Sequence, residues 1–510
     1  MTDAEQFDVI VVGCSTTGLA LAKSLAAAGV RVAAVDRWRL PVHFDRGTHL
    51  DDETVRAFQV LGMDDMEPTF SPVGGYRFYD PDWRPVMEWD MNLGLTDQGW
   101  QSDYMFHQPS FEHRLRGAVH EEPSATTFYG WQFVSLDETD DAVQVGLRNV
   151  TTDKEIQITG SYVVGCDGAN SKVRRIMGCE QKDFHATHRS LIVDINPFVA
   201  CEKLPERDCF IQGGIQNPLT YVPINHPRLR FEELLRPTDD VADFERLDHV
   251  YEMLSPWFKP SEYCILRADV YEWHAVVATP WRAGRVMLAG DACHEMPPHT
   301  GQGLCSGIRD ALNLSWKLRR ILRGQSSPEL LDTYESERSP HISVFVEVAQ
   351  VMANQIEAMQ QAPPQSESDG APAGEEETEQ REPLRPALGP GVVNEDDPWG
   401  GRLSAQPMLS SGERMDDAIG FEFALVGDPS TLDEAARSAA PQWEKLGVRV
   451  VRDSGDGVSS WLAKLDAKAV LVRPDRFIFG TANSASEVEA LTARLEDLLC
   501  TRVTRDLTPH

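Results

Sequence analysis

The chain has 510 residues, more than one ordinary core accommodates, and 41 % of them are hydrophobic. Two or three globular domains follow, and a formal charge of −32 disfavours nucleic acid or an anionic membrane as the main partner. Nine scattered cysteines with no CxxC pair argue against a disulfide framework or a structural zinc site and fit a reducing cytoplasm.

The N-terminus, MTDAEQFDVIVVG, has acidic residues before a short apolar run, which is not the pattern of a signal peptide, and no apolar run is long enough to span a membrane. FDVIVVG reads as a buried strand, LALAKSLAAAG as a buried helix stopped by Gly29, and VRVAAVD as a second strand. That is a βαβ unit, and it predicts a parallel sheet with helices on its faces. Residues 131–164 alternate with period two between turn residues, as an antiparallel meander does, and SYVVGCDG returns to a buried strand. Strand-like pieces recur from about 190 to 280 and predict a second, antiparallel sheet with its own domain. GRVMLAGD is again of the parallel type, and the helix after it repeats apolar or small residues at Leu304, Ile308, Ala311, Leu312, Ser315 and Leu318. Residues 361–400 are rich in Pro, Glu, Ser and Gly and predict a disordered or mobile segment. Beyond them FEFALVGD, VRVVRD, AVLVRPDRFIFGTA and an amphipathic helix from Ala485 to Leu499 make a small α/β domain.

The turn Gly13-Cys14-Ser15-Thr16-Thr17-Gly18 fits a dinucleotide fingerprint except at its middle glycine, where Ser15 stands. Gly13 suits the tight turn and Gly18 the close helix–strand packing. The helix that opens at Thr17 offers free N–H groups to a pyrophosphate. Asp36, with Arg37 beside it, ends the second strand where a carboxylate accepts hydrogen bonds from an adenosine ribose. This motif alone leaves NAD and FAD both open. In Asp167-Gly168-Ala169-Asn170-Ser171-Lys172-Val173-Arg174 an Asp and a Ser follow a buried strand, a pattern that also suits a plain helix cap.

That segment resembles the DGxxSxxR motif of the group A flavin-dependent aromatic hydroxylases, the para-hydroxybenzoate hydroxylase-like monooxygenases. AGDACHEMPPHTGQG resembles the family's third motif, and the three motifs occur in the family's order over residues 5 to 350. RGTHLDDETVRAFQVLG and GQGLCSGIRDALNLSWKL are similar to the 3-(3-hydroxyphenyl)propionate hydroxylase branch, with polyketide hydroxylases as near neighbours. The resemblance implies bound FAD. Asp167 lies near it, Asp291 on its ribityl chain, Pro298 near the flavin face, and Gly301 and Gly303 where backbone approaches the ring. Arg46, Gln108 and Arg114 match family positions that contact FAD. The expected fold is α/β: a Rossmann-like FAD-binding domain of the GR2 type in three parts (1–74, 106–185, 281–355), a substrate domain in two (75–105, 186–280), an acidic, Pro-rich mobile linker (356–411) and a thioredoxin-like domain (412–510). The lone Cys500 rules out dithiol chemistry there.

The implied reaction takes hydride from NADH or NADPH to FAD, forms a C4a-hydroperoxide with O2, and delivers oxygen ortho or para to a phenol. The expected substrate is a small phenol or a polyketide, and a homodimer stands among the expectations. His49, in RGTHLDDE, is the candidate base for the phenol proton, with His294 and His299 as alternatives flanking the flavin loop. Tyr221 and Arg230 are candidates for substrate polar groups, and no His spacing supports a metal site. Three rivals stay open: a Baeyer–Villiger or epoxidising flavoenzyme on a polyketide scaffold, an NAD-dependent dehydrogenase using the first motif alone, and an FAD-binding protein without turnover.

Overall fold

A wholly apolar strand needs cover on both faces, and the first one has it. β1 (Gln6–Val12) lies in the centre of the first sheet, α1 (Thr16–Ala27) crosses over it, and β2 (Val32–Asp36) returns parallel in the register Val9↔Val32 to Val12↔Val35. This computed structural model describes residues 6–91, 93–213, 215, 217–361 and 383–500. After α2 (Asp52–Val60) and α3 (Gln108–His120), β3 (Ala125–Tyr129) extends the sheet beside β2. β4 (Glu155–Gly165) flanks β1 on the other side and serves two sheets' worth of pairing. Its outer half is antiparallel to 143–149, completing the expected meander, and its inner half is parallel to β1.

α4 (Lys172–Met177) leads into β5 (Glu180–Pro197), the long strand that starts the second sheet. β6 (Leu219–Asn225), β7 (Arg228–Leu235) and β8 (Tyr263–Thr279) join it, with β5 between β7 and β8. Strands 75–79 and 85–90 complete the far edge. The sheet is antiparallel apart from one pair: 208–212 runs parallel to 75–79. Residues 103–105, expected in this domain, pair instead with 49–51 and 71–72 in a small separate sheet. Helices 241–244 and 247–254 cover one face, where Val250, Leu254 and Phe258 pack on Leu191, Val193, Tyr221 and Phe231.

β9 (Val286–Leu288) returns to the first sheet beside β4. The loop after it sends His294–Glu295 back to pair with Val276–Val277 of β8, so the two sheets are hydrogen-bonded to one loop. That loop ends in α5 (Gln302–Leu322), followed by α6 (Asp332–Gln361). The last domain runs β10 (Ala424–Gly427), α7 (Pro429–Leu446), β11 (Arg449–Arg452), α8 (Asp456–Lys464), β12 (Ala469–Val472), β13 (Ile478–Ala482) and α9 (Ala485–Cys500). Its strand order, β11-β10-β12-β13 with only β10 and β11 parallel, is the thioredoxin-like arrangement.

The linker expectation needs a correction. Residues 362–382 lie outside the described residues, but 383–411 are packed. Val392 and Val393 are buried, the Val392 N–H donates to Glu337 at 2.7 Å, and Arg385 pairs with Asp52 and Asp97 at 2.6 Å each. Composition misled because a few apolar side chains, Leu388, Val392, Val393 and Leu409, are buried against the neighbouring domains and backbone and charge contacts hold the rest. No helix among the described residues is long and apolar enough to cross a membrane.

Candidate cofactor and substrate site

The first turn is fixed by its own packing. Gly13 has φ +99°, and a Cβ there would lie 2.3 Å from the Cys166 carbonyl oxygen; at Gly18 it would lie 1.9 Å from the Gly13 oxygen. Ser15 is the N-cap of α1, and its side chain makes no capping bond. Thr17 faces α5, where a Cβ at Gly307 would lie 2.2 Å from its Oγ1. Its side chain is taken by helix packing, which leaves its backbone N–H at the start of α1 for the cofactor role expected of it. Asp36 accepts from the Cys14 N–H at 2.8 Å and the Trp38 N–H at 2.7 Å, and Arg116 reaches it at 3.2 Å. Arg37 is exposed, over the Trp38 ring.

α3 supplies the next layer. Gln108 Oε1 accepts from the N–H groups of Arg46 (2.8 Å) and Gly47 (2.9 Å), while Nε2 donates to Glu112 Oε1 at 2.8 Å. Glu112 also accepts from the Thr16 N–H and hydroxyl at 3.1 Å each, so it ties α3 to the start of α1. Burial raises its pKa against those hydrogen bonds. Arg114 is a correction: it forms a surface ion pair with Asp65. At 100° per residue it lies across the helix from Gln108, Glu112 and Arg116, which share one face. Arg116, which shares the face of Gln108 and reaches Asp36, was not singled out from the sequence, and neither was Glu112, whose signal was its i,i+4 spacing from Gln108.

Asp167 caps α4. It accepts from the Lys172 N–H at 2.7 Å and the Val173 N–H at 3.2 Å, and Ser171 donates its hydroxyl to it. Its carboxylate is thus committed to the cap rather than to a ligand. Arg174, which was not singled out, donates to the Ala292 carbonyl at 3.0 Å and so joins this motif to the third. Asp291 keeps exposed surface, and its pKa is raised by desolvation, partly offset by His294 and Arg46. Asp310 of α5 braces the loop from behind, accepting from the Gly290 N–H (3.1 Å), His294 (2.7 Å) and Arg338 (2.9 Å). Burial opposes its charge, but His294 and Arg338 outweigh that and lower its pKa.

Pro298 is exposed on the turn into α5. Gly301 has φ +65°, and a Cβ there would strike the His49 ring at 2.6 Å. Gly303 differs. A Cβ there would meet nothing nearer than Met296 Cγ at 3.8 Å, so the protein's own packing does not demand a glycine. The N-cap of α5 is Gly301, with no side-chain capping bond, which leaves the first N–H groups of a 21-residue helix without a side-chain acceptor. Room for a Cβ at Gly303, N–H groups without a side-chain acceptor at the start of α5 and the exposed Asp291 in the preceding loop fit a flat, anion-bearing ring with a polyol tail, as FAD has.

The three candidate histidines are not equivalent. His49 is buried, with Nε2 2.7 Å from Asp103 Oδ1 and Nδ1 3.3 Å from the Gly301 carbonyl oxygen. Burial lowers its pKa, but Asp103 and Cys305 outweigh that and raise it. Acceptors beside both nitrogens and the raised pKa favour the protonated ring, which has no lone pair to receive a proton. His294 is spent on Asp310. His299 is half-buried, has a buried Nε2 with no hydrogen-bond partner, and its ring stands edge-on to Trp273 at 5.3 Å. Burial and the nearby His188 lower its pKa to about 4, so it is neutral near pH 7.

Strand parity separates the two substrate candidates. Tyr221 faces the helices, stacked on Phe210 at 4.9 Å with its hydroxyl donating to the Pro205 carbonyl, so its role is packing. Arg230 is on the opposite face, with Asp194, Glu232, Arg267, Asp269, Tyr271 and Trp273 as partners or same-face neighbours. This face meets the first domain: Arg230 and Arg267 donate to the Asp45 carbonyl oxygen at 2.6 and 3.1 Å.

A parallel dinucleotide-binding sheet whose third ligand loop faces an antiparallel sheet defines a two-domain flavoprotein hydroxylase architecture. Residues 6–349 match the family described as FAD binding domain, and residues 439–498 match the HcaD C-terminal domain. The chain belongs to that FAD-binding family and is a flavin-dependent monooxygenase of the aromatic hydroxylase type. It is 30 % identical to a probable NADH-specific resorcinol 4-hydroxylase of Rhodococcus jostii (strain RHA1), over 96 % of this chain and 94 % of that one. It is also 30 % identical to a 3-(3-hydroxy-phenyl)propionate/3-hydroxycinnamic acid hydroxylase of Mycolicibacterium smegmatis, over 96 % and 93 %. The crystal structure of aklavinone-11 hydroxylase with FAD and aklavinone has the same fold, with a TM-score of 0.79 at 24 % identity, covering 98 % of this chain and 100 % of that one. The rebeccamycin biosynthetic enzyme RebC, with reduced flavin, gives 0.78 at 20 % identity, covering 97 % and 99 %.

Proposed function

We propose that the protein adds one oxygen atom to a phenolic ring, ortho or para to a hydroxyl, using NADH or NADPH and O2. FAD supplies hydride acceptance, oxygen activation and oxygen transfer when bound. Gly13, Ser15, Gly18 and the start of α1 hold its pyrophosphate, and Asp36 its ribose. Asp291, the start of α5 and Gly303 hold the ribityl chain and ring. Gln108 and Glu112 position the Arg46 loop, and Arg174 and Asp310 position the Asp291 loop.

The observation that carries this reading is a glycine at 303 that the protein's own packing does not demand, at the start of a helix whose first N–H groups have no side-chain acceptor, on a loop whose His299 meets Trp273 of the second sheet. The group that accepts the phenol's hydrogen bond is His299 rather than His49, because His299 combines a lowered pKa with a ring nitrogen that has no hydrogen-bond partner, whereas both His49 nitrogens are engaged. Drawing on that proton raises the electron density of the ring carbon under attack. The −32 charge supports a reading without nucleic-acid partners, and nine unpaired cysteines support a cytoplasmic one.

The test is oxidation of NADH and of NADPH by the FAD-loaded protein, with and without a panel of phenols, alongside product masses. Phenol-stimulated oxidation with a gain of one oxygen at an aromatic carbon is expected. Oxidation that no phenol stimulates, with no oxygenated product, overturns the reading.

A further inference from the structure

Three buried polar atoms without a hydrogen-bond partner meet where the third ligand loop lies against the second sheet. Trp273 of β8 is 1 % exposed, and its indole Nε1 has no acceptor. His299 stands edge-on to that ring at 5.3 Å with its Nε2 unpartnered, and the Oγ1 of the neighbouring Thr300 is unpartnered too. His188, opposite Trp273 on β5, stacks on the indole at 4.6 Å and 19°. Trp273, Ala275 and Val277 take part in the apolar core of the first domain, so this side of β8 is turned toward the cofactor domain and away from helices 241–254.

Burying a donor without an acceptor costs free energy, and a native structure that keeps such a group calls for a partner from outside the chain. The three groups differ in what they can take. A histidine ring and a hydroxyl each donate or accept, but an indole N–H only donates. The partner of Trp273 must therefore be an acceptor, such as an ether, carbonyl or hydroxyl oxygen. His299 is already assigned to the phenol hydroxyl, so the acceptor is a second oxygen of the same molecule.

We infer that Trp273 is a specificity-determining residue and that the substrate carries, besides its phenol hydroxyl, an oxygen that accepts the Trp273 N–H. This rests on the hydroxylase reading above and adds a required feature to its substrate. A site built to bond an oxygen rejects an analogue without it, because the donor is then left bare. The experiment titrates the FAD-loaded protein at pH 7 with 2-, 3- and 4-methoxyphenol and with the three matching ethylphenols, in which a methylene of similar size replaces the ether oxygen, and follows the flavin absorbance. In the parent, at least one methoxyphenol is expected to bind more tightly than its ethyl counterpart, although the ethyl group is the more apolar. Trp273→Phe, with FAD content confirming its fold, is expected to move that pair's ratio of dissociation constants about tenfold toward the ethylphenol. If the variant does not retain FAD, the comparison within the parent decides by itself. A parent that prefers no methoxyphenol, or a ratio that Trp273→Phe leaves unchanged, overturns the inference. No binding by any of the six, with no phenol-stimulated NADH oxidation, overturns the hydroxylase reading itself.

Discussion

Gly301 and Gly303 stand two residues apart and answer to different constraints. Alanine at Gly301 faces a left-handed backbone at φ +65° and the His49 ring, so it should destabilise the protein with or without FAD. Alanine at Gly303 meets only an ordinary contact, and it replaces glycine within a helix, worth about 0.5–1 kcal/mol of stability. Gly303→Ala should therefore leave the apo melting temperature unchanged or slightly raised while weakening FAD by about tenfold, or about 1.4 kcal/mol. Calorimetry of the apoprotein and a flavin fluorescence titration check both halves, and undiminished FAD affinity would remove Gly303 from the cradle. His49 gives a pH prediction. Its folded pKa is raised, so the stabilisation from Asp103 is complete below its unfolded value and is lost as pH rises through the folded value. Asp103→Asn should cost about 1–3 kcal/mol at pH 6 and less at pH 9, measured by urea unfolding at each pH. A cost that does not change with pH would mean the ring is neutral and return it to the list of bases. His299→Phe should lower kcat for phenols while sparing FAD content, and loss of FAD instead of kcat would place the ring with the cofactor.

At the scale of elements, α5 shows what a sequence pattern reveals and what it hides. The apolar spacing from Leu304 to Leu318 located the helix and its inner stripe, and Ile308, Ala311, Leu312, Ser315 and Leu318 are buried as that spacing requires. The same helix also buries Arg309, Asp310, Asn313 and Lys317, and periodicity cannot announce that, because each is covered by a partner far along the chain. Arg309 reaches Asp51 and Glu53 at the start of α2, and Asp310 reaches Arg338 of α6. Lys317 meets Glu337 at 2.8 Å, and Glu337 in turn holds Arg473 of the last domain at 2.7 Å. Tyr221 was misplaced for a related reason: alternation tells two faces apart but not which one the helices will cover. Glu337 makes the consequence measurable. Burial raises its pKa, but Arg473 and Lys317 outweigh that and hold it at about 2. Its stabilisation is thus present above the ordinary glutamate range and lost as pH falls toward 2. Glu337→Gln leaves two buried cations short of a counter-charge and should cost about 3 kcal/mol at pH 7, with the gap closing in acid. Unfolding curves between pH 7 and pH 3 test it, and a gap constant across that range would show the cost to be one of shape.

At the scale of the whole molecule, the motifs fixed the order of parts well, since each ligand loop is local in sequence: strand, turn, helix. The coupling between parts was invisible, because it runs through residues hundreds of positions apart. Arg56 of α2 is buried against Asp416 at 2.8 Å, and Asp416 is shared with Arg476 at 2.9 Å. Trp316 of α5 donates to Asp475 at 3.1 Å and lies edge-on to Phe423 at 5.4 Å, inside the apolar core of the last domain. The thioredoxin-like domain is thus the far wall of the helix whose first turn we propose meets the flavin, and its single cysteine, Cys500, is exposed and unpaired. Two variants separate this structural role from a redox one. A chain ending at residue 382 leaves Arg56 without Asp416, Glu337 without Arg473 and Trp316 without its apolar cover, and stranding a buried charge costs about 3–5 kcal/mol per broken pair, a large part of a typical domain's stability. That chain should fail to accumulate as soluble FAD-bound protein. Cys500→Ser should match the parent in FAD content, melting temperature and phenol-stimulated NADH oxidation. A soluble truncated chain with full FAD affinity would show that the buried ion pairs do not hold α5 in place, and a Cys500→Ser variant with impaired turnover would give the last domain a chemical part that its fold alone does not supply.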